Sequence, residues 1–180
     1  MGRFNNLATA SGAAAAVDIL FDDVKDCFQK HGVVEPVCFI FMTVDPTTNG
    51  AFEEGVTLGR VDGDMSDPLK IHHFEATVRY LVKVSRAVGV LHIFEALMME
   101  IVDNVPKDAE ALDDLLSSTP DHQAKKVVVA TFEHLRIKPQ VWQADIRDDT
   151  NTPTLGEFVD QECDFSVPDS RFTNWLGFWN

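Results

Sequence analysis

A glutamate set among apolar strand residues is the group in this sequence that most invites a chemical role. Val90-Leu91-His92-Ile93-Phe94-Glu95-Ala96-Leu97-Met98 reads as an interior-type strand, and strand alternation puts Glu95 on the same face as Ile93 and Leu97. A carboxylate buried there must be paired or neutral, and a raised proton affinity suits a general acid or base. Glu95 is therefore the one catalytic candidate, with no evident nucleophile beside it. The competing reading pairs it with a basic side chain such as Lys126 or Arg79. His92 lies three positions earlier and faces the opposite side of the strand, so the two cannot share one site from that strand alone.

Metal chemistry finds little footing. His72, His73 and Glu75 fall in the first turns of one helix, where an i, i+3 His/Glu pair can converge on an ion, but nothing nearby completes a ligand set. Asp62-Gly63-Asp64-Met65-Ser66-Asp67 resembles the first half of a calcium loop. Its sixth position is Asp67 rather than glycine and its twelfth is His73 rather than glutamate, so a solvated turn with a helix cap is the simpler account. Phosphate-binding glycine loops, the GxSxG elbow and kinase signatures are missing from the sequence. The reading leans away from an enzyme and calls for no cofactor.

Two features suit binding better. Arg79, Lys83 and Arg86 recur at four and three residues on the polar side of a helix, a positive strip on an acidic chain. It can grip an anion or an acidic partner, or it can neutralise Asp22, Asp23 and Asp26 or the acidic C-terminal region. Phe172, Trp175, Leu176, Phe178 and Trp179 crowd the last residues, and Phe172, Trp175 and Trp179 share a helical face. Such a cluster either folds back to complete its own core or docks in a groove on another protein, where aromatic anchors carry much of an interface's energy.

Lys and Arg number 15 against 29 Asp and Glu, a net charge of −14, so phosphate backbones and anionic lipid repel the chain and direct nucleic-acid binding is not expected. Thirteen Phe and three Trp against one Tyr supply apolar bulk for a sizeable core. Cys27, Cys38 and Cys163 are an odd set without CxxC spacing, and the first two sit in apolar patterns, which fits reduced thiols in the cytoplasm. Asp18, Asp22 and Asp23 interrupt the apolar stretch that follows the alanine run, so no membrane span is expected.

These groups must be positioned by a small set of elements. Val17, Leu20, Phe21, Val24, Cys27 and Phe28 recur at helical steps and predict an amphipathic helix over about residues 12–31, capped by Ser11 and stopped at Gly32. Val37 to Val44 predicts a strand buried on both faces, with the run from Gly55 to Val61 returning antiparallel to it. Asp67-Pro68 starts a second helix whose apolar stripe runs through Leu69, Ile71, Phe74, Val78, Leu81, Val82, Ser85 and Val88 to a stop at Gly89. After an irregular excursion over 103–124, with a helical hint at 109–116, Lys126 to Leu135 and Val141 to Asp145 predict a hairpin turned by Arg136-Ile137-Lys138-Pro139. The expected class is α+β, a mixed and mostly antiparallel sheet packed with two main amphipathic helices. Because some strands are apolar on both faces, the helices lie on opposite faces or a partner chain covers one. The expected organisation is a single domain over 1–148 and an acidic segment with an aromatic end over 149–180.

The order of an apolar strand after Pro36, an acidic glycine-containing turn, a basic amphipathic helix and then a strand with Glu95-Ala96-Leu97-Met98 resembles small uncharacterised proteins of phages and bacteria. In those the strand commonly reads Glu-Ala-Trp-Met; here Leu97 takes the tryptophan position. The resemblance spans about residues 30–136 and implies a phage or bacterial origin but no activity. The leading expectation is a cytoplasmic, non-catalytic protein-interaction factor, such as a phage-encoded assembly or host-modulating protein, with a protein partner and room for homo-oligomerisation. The alternatives are an acidic mimic of nucleic acid that inhibits a DNA-binding enzyme, and a metal-dependent hydrolase.

Overall fold

The computed structural model describes residues 4, 6–53, 55–64, 67–99, 124–147, 152–161, 175 and 176. Helix α1 spans Ala10–His31. It starts two residues before the expected position because Thr9, not Ser11, caps it: the Thr9 hydroxyl accepts the Gly12 amide at 3.1 Å. At the other end Gly32 takes the left-handed conformation (φ 70°) that a non-glycine residue resists, and its amide closes on the Phe28 carbonyl.

Strand β1 (Val37–Met42) pairs antiparallel with β2 (Thr57–Asp62) as expected. Helix α2 (Pro68–Val84) follows, with the Asp67 carboxylate accepting the Leu69 amide and Pro68 in the first turn. It stops before Gly89. The carbonyl of Ser85 accepts the amides of Thr43 and Val44 beyond β1, and Arg86 turns left-handed (φ 49°), so a tertiary contact ends the helix where the stripe alone would continue. Leu69 is also not part of the buried stripe; it is 79% exposed.

Strand β3 (Gly89–Met99) pairs with β1, β4 (Ala124–His134) with β3, and β5 (Ile137–Arg147) with β4, all antiparallel. The β4–β5 hairpin turns on Leu135 and Arg136, tighter than the four-residue turn read from the sequence, and Ile137 to Pro139 belong to β5. Pro139 lies where the register slips between Phe132 and His134, so the proline marks a bulge, a place where a missing ladder donor is tolerated. The short β6 (Thr154–Leu155) and β7 (Val159–Gln161) pair with the outer edge of β5. Residues past Asp148 thus supply strands to the same sheet as the preceding chain.

Among the described residues the result is a seven-stranded, antiparallel α+β sheet in the order β2-β1-β3-β4-β5-β6, with β7 also on β5. Both β2 and β3 run antiparallel to β1, so β2, α2 and β3 form a split β-α-β unit around it. Alternation divides the core in two. Phe39, Phe41, Leu91, Ile93, Val128 and Phe132 meet Val17, Leu20, Phe21, Val24 and Phe28 of α1. Cys38, Ile40 and Val90 on the other face meet Phe74 and Val78 of α2 together with Trp175. The two helices therefore cover opposite faces, which is why β1 is apolar at consecutive positions. A fully buried phenylalanine such as Phe28 contributes roughly 1.5–3 kcal/mol relative to exposure. Among the described residues, no helix is long and apolar enough to cross a membrane. The irregular segment with its helical hint at 109–116 lies outside the described residues.

Candidate functional site

Glu95 stands on the α1 face of β3, opposite Val128, and is half-buried. Its Oε1 accepts the backbone amide of Val34 at 2.6 Å. A main-chain amide thus supplies the hydrogen bond expected from a basic side chain: Lys126 is registered with Leu97, and Arg79 lies on the opposite face beside Trp175. The carboxylate ties the α1–β1 joint to the end of β3.

The histidine and aspartate candidates are dispersed. His72 and His73 lie on the exposed side of α2, and among the described residues no three His, Cys, Asp or Glu side chains come together in a way that could hold a metal ion. Asp62 pairs with Arg60, Asp64 with Lys70, and Asp67 caps α2, so the carboxylates of the calcium-like stretch face separate partners.

The positive strip and the aromatic end meet at one point. The Arg79 guanidinium sits 5.0 Å from the centroid of the Trp175 ring, within cation–π range. Lys83 and Arg86 are exposed nearby in sequence. Asp22, Asp23 and Asp26 belong to α1, on the other face of the sheet from α2, and Lys25 of α1 pairs with Glu157. Trp175 is buried and Leu176 partly so, both on the chain's own α2-side core. Phe172, Phe178 and Trp179 lie outside the described residues.

Sequence reasoning passed over a buried polar group of three. Cys38 and His92 are direct cross-strand partners, and Glu133 lies on the same face of β4. A cysteine, a histidine and a carboxylate would suit nucleophilic catalysis if thiolate and imidazolium formed. Burial does the opposite: it pushes the Cys38 thiol up, reinforced by the nearby Glu133 charge, and lowers the His92 imidazole to about 3. Phe74, Phe94 and Trp175 rings close around His92. Burial thus favours the neutral forms of both side chains, which pack in the sheet's α2-side interior. A polar residue alternating into an apolar strand was the available signal, and Glu133 carries it as plainly as Glu95.

An open, concave feature lies on the α1 face. A groove of about 550 Å³ runs between α1 and the β1–β2 edge of the sheet. Its wall is built by Asp23, Val24, Cys27 and His31, which helical spacing brings to one side of α1; its floor by Val37 and Phe39; its end by Val33, Val34 and Glu35. Arg60 of β2 lies over the Phe39 ring at 5.9 Å and is tied to Asp62 at 2.6 Å. The groove is apolar below and acidic at the rim, with one cation already paired.

Among the described residues β2 is the outermost strand beside it, and one row of its backbone groups has no strand partner there. An apolar trough next to an open strand edge suits recognition of an extended segment, in which main-chain bonds supply affinity and alternate side chains enter the trough. Comparisons with protein-family models, with curated proteins and with solved structures return no match to this chain.

Proposed function

We propose that the protein is a non-catalytic, cytoplasmic protein-interaction factor that binds an extended, cationic segment of a partner along β2, with apolar side chains of that segment in the α1–β1–β2 groove. The observation that carries this reading is the coincidence of the apolar trough with the open edge of β2. The cationic character follows from Asp23 and Glu35 at the rim and from the chain's net charge of −14. A catalytic reading has less support, since Glu95 is engaged by a backbone amide and the Cys38–His92 pair is sealed.

Selection from a displayed library of random twelve-residue peptides tests it. Bound sequences are expected to alternate apolar residues between Lys or Arg, and to lose binding to Val33→Arg and Cys27→Tyr, which fill the groove at exposed or half-exposed positions. Peptides that bind these variants as well as the unmodified chain would place recognition elsewhere.

A second reading, the acidic nucleic-acid mimic, is favoured by one feature. Asp18, Asp22 and Asp26 are exposed on α1 at four-residue steps, a spacing of about 6 Å along the axis. Replacing all three by Asn would abolish capture of a basic DNA-binding protein under this reading while leaving groove peptides bound.

A further inference from the structure

Trp175 is held by more than burial. One carboxylate, Glu133, is 2% exposed and accepts two successive main-chain amides, Trp175 through Oε1 and Leu176 through Oε2, each at 3.0 Å. The Arg79 guanidinium stands over the indole, and the His92 ring meets it nearly edge-on at 5.7 Å. Phe74 and Val78 complete the apolar side. Buried main-chain amides need an acceptor wherever they lie; here a single buried carboxylate serves two consecutive amides while a cation stands over the indole, contacts that would serve a peptide arriving from another chain equally well.

None of these contacts depends on the covalent path that brings Trp175 to its seat. We propose that the seat formed by Glu133, Arg79, His92, Phe74 and Val78 is a peptide-binding site that the chain fills with its own Trp175–Leu176 segment, and that the same segment of a second copy fills it in trans to give a tail-exchanged dimer. The tether favours the cis form through effective concentration, not through different contacts. Charge acts in both directions. The sequence ahead of Trp175 carries Glu162, Asp164 and Asp169, complementary to the Arg79, Lys83 and Arg86 strip, whereas two copies each at −14 repel. Exchange is therefore favoured at high salt, which screens the repulsion.

The test mixes two full-length variants. Trp175→Ala keeps the seat and loses the anchor, and Glu133→Ala keeps the anchor and loses the amide acceptor. Sedimentation at high salt should show each variant alone as a monomer and the mixture as a heterodimer holding one intact pair. A mixture that stays monomeric while both variants keep the far-ultraviolet circular dichroism of the unmodified chain would overturn the proposal, as would a dimer of Trp175→Ala alone. Should either variant not fold, the unmodified chain answers with a labelled synthetic peptide of residues 170–180. Saturable binding that is lost when the peptide's tryptophan corresponding to Trp175 is replaced by alanine supports the seat. No saturable binding at a few millimolar peptide overturns it.

Discussion

Glu95 and Val34 are joined by a 2.6 Å hydrogen bond from the Val34 amide to the Glu95 carboxylate, 61 residues apart in sequence. The bond fixes the angle at which the chain leaves α1 for β1, and it sets one end of the groove. Removing the acceptor leaves a partly buried amide unsatisfied, so Glu95→Ala is expected to lower stability by about 1.5–3 kcal/mol, and Glu95→Gln, which retains an oxygen, by clearly less. Urea unfolding compares the two. Equal losses would mean that the charge, not the acceptor, matters.

Because α1 and α2 pack on opposite faces of the sheet, their core residues should act independently. Phe28→Leu and Phe74→Leu are each expected to cost roughly 1 kcal/mol, and the double variant to equal their sum within about 0.5 kcal/mol. A larger coupling in a double-mutant cycle would indicate that the two cores communicate through β1.

The buried His92 gives stability a defined pH dependence. Burial lowers its folded value from 6.5 to about 3, so the folded imidazole stays neutral where the unfolded one is protonated. The unfolded chain then binds the extra proton below about 6.5, and stability falls with decreasing pH from 6.5 until the folded group titrates near 3. This one site contributes a slope of up to about 1.4 kcal/mol per pH unit. His134, lowered chiefly by burial, adds in the same direction. Urea unfolding measured across this range should show the slope reduced by up to one proton in His92→Phe; an unchanged slope would assign acid sensitivity elsewhere.

The two described thiols should differ sharply in reactivity. Cys27 is exposed on the groove wall, whereas Cys38 is buried and its thiol is pushed up by burial and by Glu133. Peptide mapping after brief maleimide treatment of the folded protein is expected to find Cys27 modified and Cys38 protected until denaturant is added. Prompt modification of Cys38 would show that the α2-side core opens readily. Modified Cys27 should also block peptide capture in the groove.

Local patterning carried much of the architecture. The apolar steps from Val17 to Phe28 specify α1, Asp67-Pro68 specifies the start of α2, and consecutive apolar residues in β1 already require cover on both faces. These are readable because helix and strand periods repeat over a few residues and depend on nearest neighbours. The end of α2 was not readable, since it is set by Ser85 accepting amides from beyond β1, and neither was the turn of the β4–β5 hairpin, where Pro139 serves a bulge.

The amino-acid order by itself determined which residues had to leave water: the aromatic end, the helix stripes and the apolar strands. Tertiary structure alone decided their partners. It set Trp175 on Glu133, Glu95 on Val34, Cys38 opposite His92, and an open trough beside β2. Hydrophobicity is a property of each side chain and is written along the chain, whereas a hydrogen-bond partner or a cavity exists only once distant segments share one place.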